Sequence, residues 1–354
     1  MPIPTEPIGS VPRPPQLLEA MGEFQAGRIT QERLDFFYEA ALRDTIQRFE
    51  ATGSQVITDG EQAKPSFATY PIHGLENLAP DGIVVPFADG HTRRLPRLAS
   101  GPFHYKTFAA SYLTAAHQST KLPVKQAVIS ASLLSLLYPA EDLDGYTREQ
   151  FTDDLIGEAV KDIRACLENG AYKVQIDFTE ARLSLKLDPS GKLLEQFIGL
   201  NNQVLSHFSA VERQKVGVHT CPGGDQDATH SADVDYAGLL PAFFNLNAGS
   251  FYLQLASEKD RCRVLRLIQE HSRQGQTIFI GVTDPIDPQI ETVQQVCDRV
   301  LEAAECIPLD RLGTTDDCGF SPFGDDTSTA RDTAFEKIRA RVAGTELAAE
   351  KLGV

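Results

Sequence analysis

Between Lys215 and Asp225 the chain reads KVGVHTCPGGD. An imidazole and a thiol, His219 and Cys221, stand one residue apart where a β-branched run opens into a Pro-Gly-Gly turn. A second thiol, Cys318, closes another β-rich run in DDCGF. Imidazole and thiolate are the ligands that zinc prefers, and three protein ligands with a fourth position open make a catalytic rather than a structural zinc. If the two runs end at one rim, His219, Cys221 and Cys318 form such a set. Zinc strips the proton from a thiol near neutral pH, and the thiolate is the nucleophile, so this set points to thiol activation. A plainer reading stands beside it: a His-x-Cys pair can simply fill the end of a strand.

The remaining polar residues point to no other familiar chemistry. No G-x-x-x-x-G-K-[ST], no G-x-G-x-x-G after a strand and no G-x-S-x-G occurs, which argues against nucleotide-dependent or serine-hydrolase function. His73, His91, His104, His117, His207, His230 and His271 are scattered over loops and helices and read as surface or hydrogen-bonded histidines. Cys166, Cys262 and Cys297 fall in helical segments and read as small core residues.

A rim is needed to bring the ligands together, and the chain supplies one by alternation. β-rich runs appear in PIGSV, SQVITDGE, VKQAVIS, YKVQIDF, KVGVHTC, SFYLQLA, TIFIGVT and RLGTTDDC. Helical spacing fills most of the gaps: 34–51, 146–169, 193–211, 259–273, 289–306 and from Phe335 onward. Eight strands alternating with helices predict an α/β fold, a (β/α)8 TIM barrel over residues 1–354, with a doubly wound open sheet as runner-up. The stretch 68–107 breaks the alternation; GIVVPFADGHTRRLPRL reads as a hairpin inserted between strands two and three, turning at Asp89-Gly90. Barrel enzymes keep their chemistry where strands end. Those ends carry Ser10, Asp59-Gly60-Glu61, Asp177, His219 and Cys221, Gln254, Asp284, and Asp316-Asp317-Cys318.

Bulk properties narrow the partners. Of 354 residues 42% are hydrophobic, enough for a sizeable core, and the net charge is −16, which repels nucleic acid and anionic membranes. No apolar run is long enough to span a bilayer, and the proline-rich N-terminus lacks a signal-peptide core, so the expected location is cytoplasmic, with the six cysteines reduced.

Five motifs in order resemble the catalytic barrel of cobalamin-independent methionine synthase: Ile8-Gly9-Ser10-Val11-Pro12, Gly60-Glu61, Gln175-Ile176-Asp177, His219-Thr220-Cys221 and Asp317-Cys318-Gly319. The resemblance implies methyl transfer to homocysteine, giving methionine, with zinc activating the thiol. It implies zinc ligands at His219, Cys221 and Cys318, a carboxylate site at Ser10 with the Ile8 backbone, and an amino-group site at Glu61 and Asp177. The chain departs from the family at four points. Gln254 stands where the family has a ligating glutamate, Asp284-Pro285-Ile286-Asp287 lacks the family's histidine, tryptophan is absent, and 354 residues leave no room for the family's second barrel. These departures fall on the donor side. The donor stays open between a methylated folate, a corrinoid protein and another alkyl donor. Two further readings stay open: electrophile opening by a zinc-bound thiol, as in epoxyalkane:coenzyme M transferase, and a non-catalytic thiol- or metal-binding barrel. A homo-oligomer is compatible with all of them.

Overall fold

The computed structural model describes residues 2–354. Six of the expected runs pair as one parallel sheet: β1 (Gln126–Ile129), β2 (Val174–Asp177), β3 (Val216–Thr220), β4 (Ser250–Leu253), β5 (Thr277–Thr283) and β6 (Leu312–Asp316), side by side in chain order. Almost every residue in them is buried, because helices cover the outer face and side chains fill the inner one. The helices Arg148–Glu168, Lys192–Ser206, Tyr236–Phe243, Arg261–His271, Val293–Ala304 and Arg331–Leu352 occupy the gaps between strands and the stretch after the last. Thr147 with Gln150 and Thr292 with Gln295 form capping boxes that set where two of them start. One helix differs from expectation: the 193–211 segment is broken after Ser206, and Ser209 caps a separate turn, Ala210–Arg213.

The first two expected strands form no ladder. Each instead bridges one edge of the sheet: Thr5 pairs with Thr314 of β6, and Ile57 pairs with Val124, two residues before β1. The two segments also meet each other, Val11 N–H donating to the Gly60 carbonyl and the Thr58 hydroxyl to the Gly9 carbonyl. The arrangement is barrel-like, with regular pairing at six of eight positions. Pro4, Pro7 and Pro12 offer no N–H for a ladder. The second segment ends in a left-handed turn at Gly60 and Glu61.

The inserted hairpin is present: Val84–Pro86 pairs antiparallel with Thr92–Arg94 across a turn that contains Asp89-Gly90. All six cysteines are free. Cys166 and Cys297 are core residues as expected, but Cys262 is exposed, because it lies in the first turn of its helix beside Glu302 rather than on the buried face. Among the described residues no helix is long and apolar enough to cross a membrane.

Inside the barrel, Ile8, Tyr252 and Phe279 make a small cluster separate from the main core. The two rings stack with centroids 4.6 Å apart. Glycines on the flanking strands leave room for them. A Cβ at Gly217 would lie 2.5 Å from the Tyr252 ring, and one at Gly313 would lie 2.5 Å from the Phe279 ring. Below the rings, buried Glu6 accepts from Tyr252 Oη at 2.5 Å and Lys173 Nζ at 2.8 Å. Gly313→Ala is therefore an overpacking change and should cost about 1–3 kcal/mol in denaturant unfolding. An unchanged unfolding midpoint would mean that the rings have room to move.

Candidate metal and thiol-binding site

Adjacent strands set the core of the site. In the β2–β3 register Asp177 is the direct partner of His219. Their side chains point to the same side, and Asp177 Oδ1 lies 3.2 Å from His219 Nδ1. A carboxylate on one ring nitrogen orients the other, which is how metal-binding histidines are usually held. The free nitrogen, His219 Nε2, is buried and has no hydrogen-bond partner among the described residues. Such an orphan is costly unless something occupies it.

Two residues beyond His219, Cys221 turns its sulfur to within 2.9 Å of the Cys318 sulfur, which arrives from the end of β6. Burial pushes the Cys221 thiol up, while the hydrogen bond from Cys221 holds the Cys318 sulfur below its ordinary value. Burial also opposes a charge on His219, but the hydrogen bond and charge of Asp177 outweigh it and hold the imidazole above its ordinary value. The ligand atoms of His219, Cys221 and Cys318 all lie within 4.8 Å of one another. Two sulfurs, an orphaned imidazole nitrogen and a carboxylate behind it fit a thiophilic divalent cation.

Ile8, Ser10, Glu61, Asp177, His219 and Cys318 border one small cavity of about 50 Å³. The expected thiol-side residues are thus brought together with two of the three metal-type side chains. Cys221 lies behind them, fully buried. Ser10 Oγ accepts from the Ser321 N–H, 3.2 Å away, and a Cβ at Gly319 would press on it at 2.2 Å. Glu61 adopts a positive φ of 56°, a strained conformation for a side-chain-bearing residue. It is held there by an N–H bond to Asp59 Oδ1 and by Arg13, which donates to its carbonyl. Gly60 before it is also left-handed, and a Cβ there would clash with Thr45 and Val11.

Gln254 lies outside the metal-type group. Its Oε1 accepts from Arg182 at 2.7 Å, and its Nε2 donates to Ser257 Oγ at 2.5 Å. It borders a separate cavity of about 840 Å³ on the other side of Cys318, together with Asp284 and Asp317. Asp317 braces that side, accepting from the N–H groups of Leu255, Ala256 and Ser257. Asp316 turns inward to Thr283 and Arg341 and leaves the site.

Sequence reasoning missed four residues. Lys64 is buried and places its ammonium 2.9 Å from Glu61 Oε1. Arg182 occupies the Gln254 oxygen. Glu180 is buried beside a cavity of about 620 Å³ walled by Phe67, Phe87 and Phe323. His230, expected in the scattered group, is buried and packs over the Cys221-Pro222-Gly223 turn, so that a Cβ at Gly223 would meet its Nε2 at 1.7 Å. Burial, with Lys186 and Arg182 nearby, pushes the His230 imidazole down to about 4. The one local signal was charge close after a strand end, in Gly-Glu-x-x-Lys and in Glu-x-Arg after Asp177.

Fold and site together define a barrel-type α/β protein with two cysteine sulfurs and an imidazole close enough at its strand ends to share a metal ion. Residues 3–332 match the family described as cobalamin-independent synthase, catalytic domain, and the chain belongs to that family. It is similar to the 5-methyltetrahydropteroyltriglutamate–homocysteine methyltransferase of Aeromonas salmonicida, 25% identical over 91% of this chain and 41% of that one. The chain thus spans about two fifths of that relative's length. It is also similar to a methionine synthase of Sulfurisphaera tokodaii, 22% identical over 99% of this chain and 94% of that one. In fold it is similar to a B12-independent methionine synthase from Shewanella sp. W3-18-1, solved with selenomethionine, with a TM-score of 0.79, 19% identity and 99% of each chain covered.

Burial pushes the Glu61 carboxyl up, with Asp177 and Asp59 adding to the rise and Lys64 opposing it. Lys64→Met removes the opposing cation. At neutral pH it should cost roughly 3–5 kcal/mol, the usual loss when one partner of a buried ion pair is removed. A raised carboxyl favours the fold below its unfolded pKa and loses that contribution as pH rises through its folded value. The deficit should therefore be smallest in acid and grow toward neutrality in unfolding curves run at several pH values. A deficit independent of pH would show that the charge pairing is not its source.

Proposed function

We propose that the chain is a zinc-dependent S-methyltransferase acting on a homocysteine-like thiol, built as one catalytic barrel. The observation that carries this reading is the single cavity in which Ser10, Glu61 and Asp177 face His219 and Cys318, with the His219 Nε2 left without a partner. Family membership and the named relatives support it. His219, Cys221 and Cys318 would hold the ion, which when bound would lower the pKa of an incoming thiol. The protein residues do the rest. Asp177 fixes the imidazole. Ser10 and the backbone at Ile8 receive the carboxylate. Glu61 and Asp177 receive the ammonium, with charge-assisted hydrogen bonds. The wider aromatic cavity takes the methyl donor, for which a methylated folate is the leading candidate. Gln254, whose amide is tied to Arg182 and Ser257, would become a fourth ligand only by giving up those bonds.

One observation favours a second reading. Lys64 already neutralises Glu61, which weakens the carboxylate pair as an ammonium site. A thiol without an amino group, such as a sulfonate thiol opening an electrophile, gains from that.

Two measurements test these readings. Elemental analysis should find about one zinc per chain, mostly lost in Cys221→Ser because a serine hydroxyl is a far weaker zinc ligand than thiolate; full occupancy in that variant would rule the ligand set out. Thiol titration should favour homocysteine over mercaptoethanesulfonate by about ten- to a hundred-fold, the value of one charge-assisted hydrogen bond. Asp177→Asn should erode that preference. The reverse preference in the wild type would move the assignment to the electrophile-opening class.

A further inference from the structure

Buried Glu180 has an unusual pairing. Its Oε1 accepts from Ser130 Oγ at 2.6 Å and Ser132 Oγ at 2.5 Å. Both hydroxyls donate to it, and each also accepts elsewhere: Ser130 Oγ from the Leu133 N–H, and Ser132 Oγ from Asn201 Nδ2. Its Oε2 is buried with no partner among the described residues. Among the described residues no cation is bonded to the carboxyl, in contrast with Glu61. An ionised carboxylate in this setting would leave charge on the unpartnered oxygen, whereas a neutral acid places its proton there and needs only an acceptor. The residue borders the 620 Å³ aromatic cavity, which shares Phe67, Phe87, Thr179, His230 and Phe323 with the small thiol-side cavity.

We propose that Glu180 is the acid that protonates the nitrogen from which the methyl group departs, the donor lying in the aromatic cavity that Glu180 borders. This rests on the methyl-transfer reading above. The step balances. The thiol gives up its proton on binding. The sulfur–methyl bond forms as the nitrogen–methyl bond breaks, and the electron pair of that bond stays on nitrogen. The Oε2 proton of Glu180 moves to that nitrogen, and the carboxylate is reprotonated from water entering the cavity. Burial supports the protonated form, pushing Glu180 up to about 7 against the hydrogen bonds of the two serines, with the negative charge of Asp177 adding to the rise. The other charged or titratable groups facing the cavity are Arg93, Arg94, Asp325 and His230. Arg93 is tied to Asp225 and Asp325, and His230 is held neutral.

The test compares Glu180→Gln with the wild type, both zinc-loaded, in two ways. Infrared difference spectra at neutral pH should show the carbonyl stretch of a protonated carboxylic acid in the wild type that Glu180→Gln lacks; no such band means that Glu180 does not carry the proton and overturns the proposal. Methylation of bound homocysteine is then followed with two donors. Iodide leaves without a proton, so transfer from methyl iodide should be unchanged. Transfer from methyltetrahydrofolate, whose leaving nitrogen must be protonated, should fall about 10²- to 10⁴-fold, the usual range for a lost general acid. Equal loss with both donors would make Glu180 a structural residue and overturn the proposal, as would no loss with either. If the wild type used methyl iodide alone, the folate reading would fail by itself, and the infrared band would still decide whether Glu180 holds a proton toward the cavity.

Discussion

The register between β2 and β3 governs the site. It makes Asp177 and His219 direct partners on one side of the sheet, so a carboxylate backs the imidazole before any loop is placed. A slip of one residue would leave the two side chains on opposite sides of the sheet. The same register carries Gln175 to the Ile8 carbonyl and to Asp177 Oδ1. It thus ties the N-terminal segment, which has no ladder of its own, to the strand that positions the metal-type group.

Burial makes this arrangement demanding. Nearly every polar group at the rim is out of water, and each needs a partner. Glu61 has Lys64, Asp317 has three backbone N–H groups, and Gln254 has Arg182 and Ser257. Among the exceptions, His219 Nε2 and Glu180 Oε2 are distinctive because the two residues border two cavities that share Phe67, Phe87, Thr179, His230 and Phe323. An unpartnered polar atom deep in a protein is destabilising, so one that borders an opening is where a ligand has most to offer.

The inserted hairpin roofs the same space. Phe87 stacks on His91 with centroids 4.3 Å apart, and His91 reaches Asp225 on the loop that follows Cys221. Arg93 bridges Asp225 and Asp325 and lies over the Phe323 ring. One excursion thereby joins the loops after β3 and β6, which carry the two cysteines, and supplies an aromatic wall to the larger cavity.

Much of this was legible in the chain. β-rich runs, helices with regular spacing and His-x-Cys beside a glycine turn all depend on near neighbours, and the six sheet strands, the hairpin and the His219–Cys221 pair follow from them. The ladders expected around Ile8 and Ile57 did not form, because proline removes donors and the Gly60-Glu61 turn ends the run. Other features had no local signature. Cys221 and Cys318 lie 97 positions apart and meet only when β3 and β6 end at one rim. Lys64 reaches Glu61 only through a left-handed turn, and Arg182 claims Gln254 from another element. Glu180 looks like any helix-start glutamate until Ser130 and Ser132 close over it. Sequence by itself determined which segments are strands and helices and which side chains could bind metal or thiol, since those depend on residue type and short spacing. Only the tertiary structure decided which charges are paired and which polar atoms are left without a partner, because burial and pairing are set by elements distant along the chain.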